Sequence, residues 1–194
     1  MIQQFTNTIT KEEISLLPIE EFTGRVIIIT NSGDAEKAVN YLSQYDRLGF
    51  DTETRPSFKK GQRYKVSLMQ IATEDTCFLF RLNHIGIPES LEGLLKSEKI
   101  LKIGLSLRDD FGAIRKRTNV QPASFLDLQG YVGQFGIGEA SLQKIYAILF
   151  GKKISKGQRL TNWEADALTE SQQKYAALDA WACLQIYNLL NNLK

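Results

Sequence analysis

Hydrophobic and polar positions along the chain follow two spacings, one typical of strands and one typical of helices. Short β-branched or aromatic runs predict strands at Val26–Ile29, Leu48–Thr54, Tyr64–Ala72, Cys77–Phe80 and Ile100–Leu105. A short strand or strand-to-helix junction is predicted at residues 125–128, and apolar residues at helical spacing predict helices over residues 34–45, 89–96, 108–117, 141–149 and 169–193. Antiparallel strands followed by alternating strands and helices indicate an α/β fold, with a mixed β-sheet flanked by helices on both faces.

The chain divides into an N-terminal arm, residues 1–24, and a single domain, residues 25–194. In the arm, Thr10 to Glu13 fits a capping box that opens a short helix, and Pro18 limits that helix. The length of 194 residues suits one α/β domain with a full hydrophobic core.

Two acidic residues interrupt the strand predicted at Leu48–Thr54. Asp51 and Glu53 are two positions apart, so period-two alternation puts both carboxylates on the same side of the sheet. They lie near the C-terminal end of the strand, where open α/β sheets usually carry ligand sites. A solvated strand end is the simpler alternative.

The last predicted helix also carries polar side chains on its apolar face. Tyr175 and Asp179 are four residues apart and lie on the stripe that contains Leu178 and Ala182. A carboxylate on a buried stripe needs a partner, and Lys174 of the same helix points elsewhere. A salt bridge to another element is the alternative to a functional role.

The pair Asp109-Asp110 stands where the strand Ile100–Leu105 passes into a helix. Asp109 is interpreted as the solvated residue of the pair, whereas Asp110 precedes Phe111 and lies beside the apolar face. Buried carboxylates that converge on one place require cations. The four residues proposed to converge, which are Asp51, Glu53, Asp110 and Asp179, therefore predict a divalent metal site and phosphodiester cleavage.

Three ordered motifs carry a resemblance to a known family: Phe50-Asp51-Thr52-Glu53, the segment Lys102-Ile103-Gly104 to Asp110, and Tyr175-x-x-x-Asp179. Together they resemble the DEDDy 3′–5′ exonucleases, which include ribonuclease D and the Werner-syndrome-type exonuclease domain. The similarity extends over roughly residues 45–190, and the Thr161-Asn162-Trp163 run is closer to the Werner-type branch.

The resemblance implies a ribonuclease-H-like fold and a 3′–5′ exonuclease that uses two divalent metal ions, Mg²⁺ or Mn²⁺. By position, Asp51, Glu53 and Asp179 would hold one ion, with Asp51 bridging to the second. Asp110 would complete the shell through water, and Tyr175 would orient the attacking water. The implied substrate is nucleic acid with a free 3′ end, single-stranded or recessed, from which nucleoside 5′-monophosphates are released. A catalytically silent nucleic-acid-binding scaffold is the main alternative, and an endonuclease or nucleotidase is a weaker one.

Candidate substrate contacts lie in two basic segments. The loop of residues 58–65 interleaves basic and aromatic side chains, and a solvated hairpin tip is its simpler interpretation. A second basic segment precedes the last helix. The predicted nucleic-acid contacts are Lys60, Arg63 and Lys65 in the loop, Lys156 and Arg159 in the second segment, and Thr52 and Met69 in the strand motifs. A methionine on a strand, such as Met69, is more often a core residue.

Charge and cysteine use add weaker constraints. Residues 1–50 hold 4 Lys/Arg and 7 Asp/Glu, whereas residues 51–194 hold 20 Lys/Arg and 15 Asp/Glu, a balance compatible with a polyanionic substrate. No apolar run approaches the ~20 residues of a membrane span, and no obligatory protein partner is evident. Cys77 and Cys183 are predicted to be reduced core residues, which indicates a cytoplasmic protein, and His84 is predicted to be structural.

Overall fold

The computed structural model describes residues 5–193, so residues 1–4 of the predicted arm and Lys194 lie outside the described part. The strands are β1 Arg25–Ile29, β2 Arg47–Thr54, β3 Val66–Ala72, β4 Thr76–Arg81, β5 Leu101–Gly104 and β6 Phe125–Asp127. The helices are α1 Lys11–Ser15, α2 Ser32–Leu42, α3 Leu82–Ile85, α4 Glu89–Lys96, α5 Leu107–Ile114, α6 Leu128–Tyr131, α7 Leu142–Phe150 and α8 Glu170–Asn191, with a 3₁₀ turn at Val132–Phe135.

The six strands form one mixed sheet in the order β1-β4-β3-β2-β5-β6. The β2, β3 and β4 strands are antiparallel neighbours, whereas β1, β5 and β6 pair in parallel with their neighbours. The predicted mixed sheet is therefore confirmed, and so is the hairpin connection between β2 and β3. The position of β2 in the interior of the sheet gives its side chains a helix-covered face on each side.

Both faces of the sheet are covered by helices, as the pattern predicted. On one face, Leu68 and Leu79 of the sheet belong to the same buried cluster as Ala180 and Leu184 of α8. On the other face, Phe50 and Ile71 belong to a second buried cluster that includes residues of α2, α4 and α5. Consecutive side chains of β2 therefore point alternately toward the two helical layers on either side of the sheet.

The long helix α8 approaches the sheet most closely at Gly49 of β2. A Cβ atom built on Gly49 would lie 2.0 Å from the carbonyl oxygen of Ala180, far inside van der Waals contact. Only glycine allows the helix backbone to rest on the strand at this point. The same contact sets the spacing between β2 and α8, the two elements that carry Asp51 and Asp179.

Several strand and helix boundaries differ from those predicted from the sequence. The strand predicted from Tyr64 begins at Val66, because the register of β2 and β3 slips between Glu53 and Thr54 and interrupts regular pairing there. The helix predicted over residues 108–117 is the shorter α5, and the pattern did not reveal α3, in which His84 is exposed. Among residues 5–193, no helix has both the length and the apolar character needed to cross a bilayer.

Candidate active site

Three carboxylates meet between β2 and α8. Asp51 and Glu53 project from β2 toward the helix, and Asp179 projects from α8 toward the strand. Their ligand oxygens all lie within 4.8 Å of one another. The structure therefore brings together three of the four carboxylates that the sequence singled out, at the spacing of a shared cation site.

Burial and mutual repulsion oppose the charged forms of these carboxyls. Burial, followed by the charges of Glu53, Asp179 and Asp110, raises the pKa of Asp51 well above its usual range. Burial and the charge of Asp179 raise the pKa of Glu53 to about 9. The pKa of Asp179 rises to about 7, chiefly through burial. The metal-free site thus holds protons at neutral pH that a bound cation would displace.

None of the four carboxylates forms an ion pair with the Lys, Arg or His side chains of residues 5–193. Lys174, the basic residue nearest to Asp179 in sequence, instead pairs with Glu170 at 2.7 Å. This confirms the prediction that Lys174 points away from Asp179. The charge of Lys156 favours ionisation of Asp179, and the charge of Arg159 favours ionisation of Glu53. Neither basic side chain forms an ion pair with its carboxylate. The predicted alternative of a structural salt bridge for Asp179 is therefore wrong within the described chain.

Asp110 lies at the side of this cluster, in the first turns of α5. Its carboxylate accepts a hydrogen bond from the hydroxyl of Thr52, while Asp109 is exposed as predicted. Burial raises the pKa of Asp110 to about 6, although the bond from Thr52 lowers it. The start of α5 is held by Asp127, whose carboxylate accepts bonds from the backbone N–H groups of Ser106 and Leu107 at 3.1 and 2.9 Å.

Tyr175 lies one turn before Asp179 and shares its cleft. Its ring lies beside that of the buried Trp163, with centroids 6.1 Å apart. A hydrogen bond from the Tyr175 hydroxyl lowers the pKa of Asp179, opposing the effect of burial. Burial and the neighbouring carboxylates raise the pKa of Tyr175 above its usual value, so the phenol remains protonated and able to donate.

Four of the predicted catalytic residues line one cleft of about 360 Å³: Asp51, Glu53, Tyr175 and Asp179. Its walls also include Lys156 and Arg159 from the segment before α8, together with Thr52 from β2. The three predicted contacts in the β2–β3 hairpin are exposed and lie outside the lining of the cleft: Lys60, Arg63 and Lys65.

The structure corrects the assignment of Met69 as a substrate contact. The antiparallel register pairs Met69 with Thr52, and Met69 is fully buried in the cluster that includes Phe50 and Phe80. Its side chain therefore belongs to the sheet face away from Asp51, and the core interpretation is the right one.

A sequence model of the 3′–5′ exonuclease family matches residues 26–193, most of the chain. The chain belongs to the 3′–5′ exonuclease family. The predicted membership of a 3′–5′ exonuclease family is thus confirmed, and the carboxylate cluster lies within the matched region.

Two relatives show how this exonuclease domain is used within longer proteins. The chain is 33% identical over 187 residues to the bifunctional 3′-5′ exonuclease/ATP-dependent helicase WRN of Mus musculus, covering 91% of this chain and 13% of that protein. It is 32% identical over 197 residues to a 3′-5′ exonuclease of Arabidopsis thaliana, covering 91% of this chain and 67% of that protein. The chain thus spans a small part of the mouse relative.

The fold is also that of a solved ribonuclease. The crystal structure of Escherichia coli RNase D, an exoribonuclease involved in structured RNA processing, superposes with a TM-score of 0.78 at 20% identity, covering 87% of this chain and 45% of that chain. This likeness confirms the predicted ribonuclease-H-like fold of the exonuclease domain.

Sequence reasoning missed several side chains that build the site of this family member. Thr52 was expected to touch substrate, but its hydroxyl also holds Asp110. Asp127 gave one usable signal, since a carboxylate at the end of a short strand is a common cap for the helix that follows. Gln70, paired with Asp51 across the strands, is fully buried, and neither polar atom of its amide has a hydrogen-bond partner in the described chain.

Proposed function

We propose that this chain is a metal-dependent 3′–5′ exonuclease that removes nucleoside 5′-monophosphates from nucleic-acid 3′ ends. One observation carries the proposal: Asp51, Glu53 and Asp179 place ligand oxygens within 4.8 Å of one another without a basic partner in contact. Family membership supplies the polarity and the reaction class.

The donor set fits divalent cations of the hard type. The three clustered groups offer only carboxylate oxygens, which favour Mg²⁺ or Mn²⁺ over Zn²⁺. We infer that Asp51, Glu53 and Asp179 would hold the divalent ions and that Asp110, beside them, would complete the set of carboxylates. When bound, two such ions activate the attacking water and stabilise the oxygen that leaves.

Other side chains of the cleft would orient the attacking water and bind the phosphates of the substrate. The Tyr175 hydroxyl is held as a donor beside Asp179, where it would orient the attacking water. Lys156 and Arg159 line the same cleft and would neutralise the phosphates of the strand end. The cleft of about 360 Å³ falls at the lower end of small-ligand sites, roughly 300–1,000 Å³, which suits the terminal nucleotide.

The substrate in this proposal is a single strand or a recessed end. Escherichia coli RNase D, which shares the fold, is an exoribonuclease, so the proposal includes RNA as one substrate class and DNA as the other. Two-metal hydrolysis acts on the phosphate and needs no 2′-hydroxyl, so both are compatible with the site. A catalytically silent scaffold is disfavoured because Asp51, Glu53, Tyr175 and Asp179 line one cleft and Asp110 is bonded to Thr52 beside them.

End-blocked substrates test the direction of attack. Labelled RNA and single-stranded DNA are each prepared with a 3′ block, with a 5′ block, or as a closed circle, and are incubated with Mn²⁺. We expect only the 5′-blocked strand to be degraded, to mononucleotides that carry the phosphate on the 5′-oxygen. Early internal fragments from the circle would instead indicate an endonuclease, and Asp51→Asn serves as the inactive control for contaminating nucleases.

A further inference from the structure

The N-terminal arm contacts the segment that carries Lys156. The family match begins at residue 26, so these contacts come from outside the matched domain. Ile19 forms an isolated parallel bridge with Lys153, in which Glu20 N–H donates to the Lys153 carbonyl and Lys153 N–H donates to the Pro18 carbonyl, both at 2.9 Å. The arm thus adds a short strand-like contact three residues before Lys156.

Glu20 anchors this contact through its side chain. One carboxylate oxygen accepts a bond of 2.8 Å from the hydroxyl of Tyr146, which is 1% exposed, and the other forms an ion pair of 3.1 Å with Lys152. Burial raises the pKa of Glu20, but the bonds from Tyr146 and Lys152 outweigh it and keep the pKa below its usual value. Glu20 is therefore ionised and bonded to both sides of the turn that leaves α7.

The segment held in this way forms one wall of the active-site cleft. Ser155 and Tyr175 line the cleft, and both also line a second cavity of about 280 Å³ on the arm side. That cavity is also lined by Ile19 and Glu20 of the arm. The arm therefore lies directly behind the wall of the cleft that carries Lys156 and Arg159.

We propose that Glu20 is a positioning residue that fixes the segment of residues 152–159 so that Lys156 and Arg159 face the terminal phosphates. This inference rests on the proposed exonuclease function, because it assigns the two basic side chains to substrate. Glu20 itself contacts neither the metal site nor the cleft residues that would bind substrate. Its side chain acts through Lys152 and Tyr146, whereas the backbone bond to Lys153 remains in every variant. Gln143 of α7 holds the same segment at the Ile154 carbonyl, at 2.8 Å, so loss of Glu20 should loosen the segment without unfolding it.

The experiment compares Glu20→Ala with Glu20→Gln and with the control Glu21→Ala. Glu21 is exposed and adjacent, so its substitution removes the same charge and leaves the contacts of Glu20 in place. By charge alone, loss of an acidic residue should tighten binding of a polyanion, so weaker binding in Glu20→Ala would identify loss of position. We expect KM to rise on the order of tenfold, with kcat within about twofold of wild type, because a lost charge-assisted bond shifts an equilibrium by about that factor.

Three further readouts separate positioning from general destabilisation. Amide hydrogen exchange over residues 152–159 should rise in Glu20→Ala and stay unchanged in Glu21→Ala. The thermal shift produced by Mn²⁺ alone should be the same in all variants, since the carboxylate cluster is intact. Glu20→Gln keeps an acceptor for Tyr146 and should recover part of the KM.

Two results would overturn the role of Glu20: an unchanged KM despite faster exchange, or an equal rise of KM in Glu21→Ala. Failure of the exonuclease proposal would look different, as a wild-type chain inactive on every strand. In that case, fluorescence anisotropy with a labelled single strand still measures binding in each variant. Equal binding by Glu20→Ala and wild type would then reject the positioning role independently.

Discussion

The hydroxyl of Thr52 donates a hydrogen bond to the carboxylate of Asp110 and so connects β2 with α5 at the rim of the cleft. Thr52 stands between Asp51 and Glu53 in the chain, and alternation along the strand turns its side chain away from theirs. One tripeptide thereby supplies two carboxylates to the cluster and a bond that orients another carboxylate beside it.

Replacing Thr52 by Val should raise the pKa of Asp110 above its value of about 6, because a bond to the charged form of a carboxyl favours that form. Carbon-13 NMR titration of the metal-free protein measures this shift directly. Thr52→Ser keeps a hydroxyl and should restore the wild-type titration. A pKa that does not move in Thr52→Val would mean that the bond has no energetic role.

Substitution of Asp51 by Asn should abolish hydrolysis and stabilise the metal-free protein. The amide keeps the shape of the side chain and removes a buried carboxyl whose ionisation is opposed by burial and by its acidic neighbours, so the melting temperature in EDTA should rise. Asp109→Asn is the matched control, because Asp109 is exposed and should change neither quantity. Substantial turnover by Asp51→Asn would contradict the two-metal site.

The stability of the metal-free protein should fall as the pH rises. Glu53 and Asp179 have pKa values raised to about 9 and about 7, so the folded chain binds more protons than the unfolded chain over that range. The stabilisation is fully present below the unfolded values, near 4, and is lost as the pH rises toward 9. Urea unfolding in EDTA between pH 5 and pH 9 measures this slope.

Divalent cations should reverse that trend, since they bind the deprotonated cluster of the folded state. Added Mn²⁺ should therefore stabilise the protein more at pH 8 than at pH 5. In Asp179→Asn both the slope in EDTA and the response to Mn²⁺ should diminish. A pH-independent response to the cation would place its binding site elsewhere.

Tyr175→Phe keeps the ring beside Trp163 and deletes only the hydroxyl. We expect kcat to fall by ~10²-fold or more, as is typical when a group that handles protons or orients water is lost. Single-turnover kinetics at saturating substrate would isolate the chemical step. A chemical step of normal rate would reduce Tyr175 to a packing role.

The two basic segments should differ in their contribution to binding. Lys156 and Arg159 line the cleft, whereas Lys60 and Arg63 lie on the exposed hairpin. Neutralising the cleft pair should raise KM even for a dinucleotide, and neutralising the hairpin pair should act only on longer strands. The dependence of affinity on salt should flatten by about one unit per lost phosphate contact. Equal effects on a dinucleotide would show that the hairpin reaches the terminal nucleotide.

The central carboxylates could be found from sequence because each is an anomaly on its own element. Asp179 breaks an apolar stripe, and Asp51 breaks a hydrophobic strand, so burial and charge conflict within a few neighbouring residues. The helix stripe and strand alternation also fixed the directions of these side chains. That local conflict, together with motif order, was sufficient to predict the cluster.

Features that depend on contacts between distant segments were not predictable in this way. Met69 was misassigned because the face it occupies depends on the register of β3 against β2, which no local pattern encodes. The contact of Glu20 with Tyr146 joins residues 126 positions apart and involves an arm with an ordinary acidic composition. Contacts of this kind depend on how distant segments pack in the folded chain, and local sequence patterns do not encode them.

Gly49 gives the exonuclease site a vulnerability that lies outside its chemistry. With a methyl group there, the Ala180 carbonyl would have to move outward, and Asp179, its neighbour in α8, would move with it. A chain carrying Ala at position 49 could keep every ligand and still lose its affinity for cations. An intact set of acidic residues in a relative is therefore an incomplete sign of activity unless the position equivalent to Gly49 is also glycine.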